Sequence, residues 1–171
     1  MTTKDICFIG IFAAAMVIVA QITIPLPGGV PMTLQTFIVP LAGAVLGSKK
    51  GAIAAVVYIL LGAVGLPVFS GFRGGIGVIA GPTGGFVLSY PIMALVVGLW
   101  GGKRLWLILC LIAGVVINLG MGMVQFAFVT GNDLQTAFFA AVAPFVLIEA
   151  GKMIIVYFFA VRVLRLLSHM L

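Results

Sequence analysis

Long apolar runs alternate with short polar or glycine- and proline-rich connections along the whole chain. The runs cover about residues 6–24, 33–47, 51–65, 86–101, 105–129 and 144–167. Crossing a bilayer takes about 20 apolar residues in a helix, fewer where the span is short. The pattern therefore predicts an all-α integral membrane protein, a bundle of six transmembrane helices.

Two of the connections are long but contain few polar side chains. The first, "IPLPGGVP", carries prolines 25, 27 and 31, which cannot continue a helix. The second, "LPVFSGFRGGIGVIAGPTGG" at 66–85, holds seven glycines and two prolines. Irregular backbone is tolerated near a membrane only where it packs against protein or lines a cavity. We therefore expect these connections to form a lid.

Composition supports the membrane interpretation and excludes a separate soluble domain. Sixty-four per cent of the 171 residues are hydrophobic and 7% are charged, whereas soluble domains average about 45–50% and 25%. We expect one transmembrane domain over residues 1–171. The net charge of +6 does not indicate nucleic-acid binding, because nearly all basic residues lie at the ends of apolar runs.

The basic residues also predict the orientation of the chain in the membrane. One side of the predicted bundle carries only Arg73, together with Asp133. Loops rich in lysine and arginine stay in the cytoplasm, so both termini should be cytoplasmic and the two lid connections should face outward. The basic residues assigned to the cytoplasmic side are Lys4, Lys49, Lys50, Lys103, Arg104, Arg162 and Arg165.

An acid and a base interrupt the last apolar run, "VLIEAGKMIIVYFFA". Glu149 and Lys152 are three residues apart and share one helix face. A charge at the centre of a membrane helix costs about 2.5–3.5 kcal/mol, so something must offset it. One interpretation is an ion pair that only lowers this cost. The other is a pocket in which acceptors and donors meet a ligand that presents N–H beside C=O, or a zwitterionic or acidic solute.

Four further polar residues fall in or near the apolar segments. Arg73, between glycines in "GFRGG", suits either a ligand or lipid head groups. Gln35, just after the first lid connection, suits either a ligand or an interhelical hydrogen bond. Asn118 and Gln125 share a face of the fifth helix, where hydrogen bonding between helices is the favoured interpretation.

Motifs for nucleotide hydrolysis and for intramembrane hydrolysis are absent from the sequence. No G-x-x-x-x-G-K-[ST], H-E-x-x-H or G-x-S-x-G occurs. The chain is therefore expected to be no enzyme, to hold no cofactor or metal, and not to power itself with ATP. Internal repeats of the kind found in stand-alone carriers are not evident either. These absences favour a substrate-capture subunit that draws its energy from partners.

Residues 24–85 closely resemble the BioY family, the biotin-specific substrate-binding (S) components of energy-coupling-factor (ECF) transporters. The matching motifs are "P-x-T-L-Q-T" at 31–36, "G-L-P-V-F" at 65–69, "R-G-G" at 73–75 and "G-P-T-G-G" at 81–85. In the last helix the resemblance continues as "PF" followed by E-x-x-K. Between these segments it is mainly hydropathic.

The resemblance implies capture of biotin from the outer side of a prokaryotic cell membrane by a multi-pass protein. It implies partnership with a transmembrane coupling subunit and two ATP-binding cassette ATPases, which use the ATP. The substrate-binding residues it implies are Gln35, Arg73, Glu149 and Lys152. The alternatives that remain are another vitamin or a stand-alone carrier of a small solute.

This chain departs from the family pattern at the acid. The family more often shows Asp within "P-G-D" where this chain has "L-I-E" at 147–149, which moves the carboxylate outward by one methylene. Two assignments of the cations remain open at this point. Either Arg73 meets the biotin carboxylate and Lys152 the ureido oxygen, or the reverse holds.

Overall fold

A computed structural model describes residues 1–26 and 29–168, the side chains of 165–168 excepted. Pro27, which we expected to help end the first helix, and the side chain of Arg165 lie outside the described residues. Within them the chain forms one two-stranded antiparallel hairpin and eight α-helices. The strands are β1 (Thr23–Ile24) and β2 (Met32–Thr33), and the helices are α1 (Thr3–Ala20), α2 (Gln35–Leu46), α3 (Ser48–Ala63), α4 (Ile76–Ala80), α5 (Gly84–Val97), α6 (Arg104–Thr130), α7 (Leu134–Ala141) and α8 (Val146–Ser168).

Six of these helices follow the predicted apolar runs, and two of the differences from the predicted bounds lie at the end of α1 and at the start of α8. Helix α1 ends at Ala20 rather than at residue 24, because Thr23 and Ile24 pair with Thr33 and Met32 in the hairpin. The expected start of the last helix at Pro144 is wrong: α8 begins at Val146, after a turn. Two short helices, α4 and α7, were not predicted.

Several helices have the length and hydropathy of membrane spans. Thr3–Ala20 and Arg104–Thr130 are each long and apolar enough to cross alone, and Leu134–Ala141 with Val146–Leu164 form a further candidate bent by 50°. Gln35–Leu46 and Gly84–Trp100 are apolar but shorter. The fold is thus a mostly helical bundle with apolar spans. The count of six spans and the cytoplasmic termini remain predictions.

Helix α2 lies at the centre of the bundle, where small residues allow close helix crossings. A Cβ on Gly43 would lie 2.2 Å from the carbonyl oxygen of Ala94 in α5, and one on Gly51 of α3 would lie 2.6 Å from the Cα of Gly43. Small residues at such crossings let backbones approach within van der Waals contact. This packing buries Gln35 and Thr36 in the first turn of α2.

The two lid connections and the segment 131–145 meet at one end of the bundle, here called the lid end. Val30 of the first connection packs against Leu119 of α6 and Phe145 before α8 in one buried cluster. Residues 68–73 of the second connection, here called the lid turn, are closed by backbone hydrogen bonds between Phe69 and Arg73 at 2.9 and 3.3 Å. The expectation that these apolar connections pack against protein is confirmed for Val30 and for residues 68–70, whereas Phe72 and Ile76 are exposed.

Candidate ligand-binding site

A cavity of about 50 Å³ lies at the lid end, and both lid connections, α2, α5, α6 and the start of α8 contribute to its wall. This is room for a few water molecules. Most of the wall is apolar, with aromatic rings from the lid turn, α5 and the segment before α8. The lining residues are Val30, Pro31, Thr33, Gln35, Thr36, Phe69, Ser70, Arg73, Val78, Thr83, Phe86, Val87, Tyr90, Asn118, Leu119, Phe145 and Glu149.

The ion pair of α8 lies beside this cavity, within hydrogen-bond reach of α2. Lys152 Nζ is 2.6 Å from Glu149 Oε1, and both side chains are more than nine-tenths buried. Thr36 Oγ1 donates to the same carboxylate oxygen at 2.8 Å and accepts from Lys152 at 2.9 Å. The two charges therefore neutralise each other within a closed triangle of hydrogen bonds, which offsets their transfer out of water.

The second carboxylate oxygen of Glu149 has a different environment. Glu149 Oε2 is buried and accepts no hydrogen bond from any described residue, although Glu149 lines the cavity. A buried acceptor left without a donor costs about 1–3 kcal/mol, and more when it is charged. Because α8 begins at Val146, Glu149 lies in its first turn, where the helix dipole favours a negative charge. The site thus presents a fixed anionic acceptor with spare capacity.

Lys152 is behind the carboxylate rather than in the cavity wall. Its ammonium group has three N–H donors, and these meet Glu149, Thr36 and the carbonyl oxygen of Thr33 at 2.7 Å. The structure therefore gives Lys152 a full set of protein acceptors. It orients Glu149 and ties α8 to the hairpin strand that contains Thr33.

Gln35 forms hydrogen bonds between helices and also lines the cavity. Its Nε2 donates to the hydroxyl of Tyr58 in α3, and its Oε1 accepts from the hydroxyl of Tyr90 in α5 at 3.2 Å. Tyr58 in turn donates to the carbonyl oxygen of Val68 at 3.1 Å. Gln35 also lines the cavity, so the interhelical hydrogen bond exists and the residue still faces a potential ligand.

Arg73 lies at the mouth of the cavity and is exposed. Its Nε donates to the carbonyl oxygen of Ser70 at 3.1 Å, which anchors the base of the guanidinium group. The structure thus brings together Gln35, Arg73 and Glu149 on one cavity wall, with Lys152 directly behind Glu149. An anionic group at the mouth would be within range of Arg73, whereas an N–H donor deeper inside would meet Glu149.

Asn118 and Gln125 form the hydrogen bonds between segments that the sequence favoured. Asn118 Nδ2 donates to Ser89 Oγ at 2.6 Å and to Phe86 O at 3.1 Å, and Gln125 Nε2 donates to Ile79 O at 2.7 Å. The prediction of polar contacts between helices is confirmed for both. Asn118 additionally lines the cavity, which the sequence did not indicate.

Sequence reasoning missed several residues that build this site. Thr36 stands in the "P-x-T-L-Q-T" motif, so its place there was a usable signal. Tyr58 and Tyr90 are single tyrosines in apolar helices, and only the fold shows that both reach Gln35. No cluster of three His, Cys, Asp or Glu side chains that could hold a metal ion occurs within residues 1–26 and 29–168.

Comparison with known proteins gives consistent relationships over nearly the whole chain. A model of the BioY family matches residues 1–169. The chain is 40% identical over 160 residues to the biotin transporter BioY of Thermotoga maritima, covering 92% of this chain and 94% of that protein. It is 39% identical over 152 residues to the probable biotin transporter BioY of Pyrococcus horikoshii, covering 89% and 91%.

A solved structure shares the fold. The S-component for biotin from an ECF-type ABC transporter aligns with 96% of this chain and 95% of its own, with a TM-score of 0.83 and 24% sequence identity. With apolar spans and transporter relatives from bacteria and archaea, the chain is a multi-pass membrane protein. The family match over residues 1–169 and the relatives at 39–40% identity lead to one conclusion: this chain belongs to the BioY family.

Proposed function

We propose that this protein is the S component of an ECF-type transporter and that it captures biotin in the cavity at the lid end. The observation that carries the proposal is the buried Oε2 of Glu149 on the cavity wall, to which no described residue donates a hydrogen bond. An acceptor held in this state calls for a ligand that brings an N–H donor into an apolar, water-poor site. Membership of the BioY family and the similarity to biotin transporters support biotin as this ligand.

The chemistry of biotin matches the arrangement of charges along the cavity. Its ureido ring has two N–H groups beside a carbonyl, and its valerate tail ends in a carboxylate. With the ureido ring inside, one N–H donates to Glu149 and the tail extends to Arg73 at the mouth. The aromatic wall, including Phe69, Phe86 and Phe145, packs against the rings and the tail. The N–H donors of Lys152 are all used by protein acceptors, so Arg73 is the cation for the carboxylate.

The same proposal covers the architecture and the partners. The chain is a single domain of six transmembrane helices over residues 1–171, with cytoplasmic termini and the lid end facing outward in a prokaryotic cell membrane. It is a transport component, not an enzyme, and uses no cofactor. ATP is used by two ABC ATPase subunits, joined through a transmembrane coupling subunit. Gly10 and Ala14 are exposed four residues apart on α1, a spacing suited to close contact with such a partner helix.

The decisive experiment is biotin binding to the purified protein in detergent. Glu149→Gln keeps the size of the side chain but removes its charge, and the loss of a charged hydrogen bond worth about 1.5–3 kcal/mol should raise Kd by at least about tenfold. Asp133→Asn, at an exposed acid of the lid end, is the matched control and should bind as the parent does. Equal affinity of parent and Glu149→Gln would defeat the site assignment.

Two further measurements separate the alternatives. Competition with thiamine and riboflavin distinguishes biotin from another vitamin, because only the cognate ligand should displace bound biotin at similar concentrations. Uptake of biotin into proteoliposomes containing this chain alone would indicate a stand-alone carrier. Uptake only after addition of the coupling subunit, both ATPases and ATP is the expected result.

A further inference from the structure

We infer that Gln21, just after α1, is a positioning residue that fastens the lid turn over the cavity and sets Arg73 at its mouth. The expected effect of Gln21 on ligand release rests on the proposed biotin site, whereas the hydrogen bonds between Gln21 and the lid turn do not. Neither the sequence motifs nor the charge pattern singles out this residue.

One side-chain amide holds three backbone groups of the lid turn. Gln21 Nε2 lies 3.3 Å from the carbonyl oxygen of Val68 and 3.4 Å from that of Phe69. Gln21 Oε1 accepts the backbone N–H of Phe72 at 2.9 Å. The remaining contact of Nε2, with Val17 O at 3.1 Å, fixes the amide to the last turn of α1. The side chain thus bridges α1 and a turn about fifty residues further along the chain.

The lid turn needs such a restraint because its backbone is strained at Phe72. This residue has φ 55°, the left-handed region that bulky side chains rarely adopt. The backbone N–H of Phe72 donates a hydrogen bond to Gln21 Oε1. Arg73 follows directly in the chain. Release of this hydrogen bond removes a restraint on an unfavourable conformation and leaves the orientation of the guanidinium group free to change.

The position of the turn makes the contact relevant to ligand exchange. Phe69, Ser70 and Arg73 all line the cavity, whose volume of about 50 Å³ is far below the space that a bicyclic vitamin with an extended tail occupies. Entry and exit therefore require the wall to move, and the lid turn is the part of the wall that Gln21 fastens to α1. Gln21 controls the energy of that movement.

Two other contacts keep the turn folded when Gln21 is changed. Ser70 Oγ donates to Thr23 Oγ1 of β1 at 3.0 Å. The ring of Phe69 is buried and packs edge-on against Tyr58, with centroids 5.6 Å apart. Gln21→Met, which keeps the length of the side chain without its polar atoms, should therefore fold. Gln21→Asn, one methylene shorter, is a second variant, and Gln135→Met at an exposed glutamine of α7 is the matched control.

The first test needs no ligand. Hydrogen exchange of the amides of residues 69–73 should be at least about tenfold faster in Gln21→Met and Gln21→Asn than in the parent, since local opening sets the exchange rate. Exchange in α2 and α6 should be unchanged, and Gln135→Met should match the parent throughout. Parent-like protection of residues 69–73 in both Gln21 variants would overturn the inference.

The second test measures biotin dissociation in a double-mutant cycle with Arg73→Ala. Gln21→Met should speed dissociation by at least about tenfold alone, but by less than about threefold when Arg73 is already Ala, because the two side chains act through one contact. If Gln21→Met speeds biotin dissociation as much in the Arg73→Ala background as in the parent, the positioning role is overturned. A parent that retains no biotin refutes the proposed function instead, and the exchange experiment still decides the role of Gln21.

Discussion

Lys152 and Glu149 form a buried ion pair that uses only one of the two carboxylate oxygens. The ammonium group lies 2.6 Å from Oε1, whereas Oε2 is buried beside the cavity without a donor from any described residue. The pair therefore lowers the cost of each charge in an apolar environment, and the oxygen it leaves over is the acceptor on which the proposed function depends.

Removal of Lys152 should destabilise the protein because it leaves the Glu149 carboxylate buried and uncompensated. Breaking a buried pair in this way costs about 3–5 kcal/mol, so the thermal midpoint of Lys152→Met in detergent should fall by at least about 6 °C. The double variant Lys152→Met with Glu149→Gln should recover most of this loss. Lys103→Met, at an exposed lysine, is the control. A double variant as unstable as the single one would contradict the prediction.

Tyr58→Phe should weaken both the fold and the site, because the hydroxyl of Tyr58 links Gln35 to the lid turn. Its removal leaves an N–H of Gln35 without this acceptor and takes one of two donors from the carbonyl oxygen of Val68, which keeps Gln21 Nε2 at 3.3 Å. A buried N–H left unpaired costs about 1–3 kcal/mol. Thermal unfolding and biotin titration measure the effect. Tyr157→Phe, a half-buried tyrosine outside this chain of hydrogen bonds, should leave both unchanged.

Gly62→Ala should displace the lid turn from inside the bundle. A Cβ at Gly62 of α3 would lie 2.0 Å from Cζ of Phe69, whose ring is buried and has little room to move. We expect biotin affinity to fall by at least about tenfold, the equivalent of about 1.4 kcal/mol. Gly120→Ala is the matched control, since its Cβ would meet nothing within 4 Å and alanine favours the helix. Equal affinities of the two variants would argue against a tightly packed Phe69.

Arg73→Ala should reduce affinity for biotin but not for biotin amide, which lacks the carboxylate. Arg73 is exposed at the cavity mouth, whereas the N–H groups of Lys152 are used by protein acceptors. The difference between the two ligands should shrink at high salt, because an exposed ion pair is screened. Titration of biotin and of biotin amide into the parent and into Arg73→Ala decides whether Arg73 binds the carboxylate. An equal effect of Arg73→Ala on the affinities for biotin and biotin amide would assign the carboxylate to another cation.

The structure of the lid connections was predicted only in part from the sequence. Glycines, prolines and a scarcity of polar side chains in residues 66–85 predicted backbone packed against protein, and the buried Val68, Phe69 and Ser70 agree. The hairpin and helix α4 inside these connections were not predicted. Strands of two residues and a helix of five carry too little periodicity to be recognised, and they are stabilised by contacts with distant segments.

Local pattern determined the features of this protein that depend on near neighbours in the chain. Apolar runs predicted six of the helices, and the three-residue spacing of Glu149 and Lys152 placed both on one face. The end of α1 and the start of α8 were decided by the hairpin and by the turn before Val146. Only the tertiary structure decided which side chains meet. It joined Thr36 to Glu149 across 113 positions and Gln21 to Phe72 across 51, and it turned Lys152 away from the cavity. Hydrogen bonds between such distant residues depend on helix packing, which no local pattern encodes.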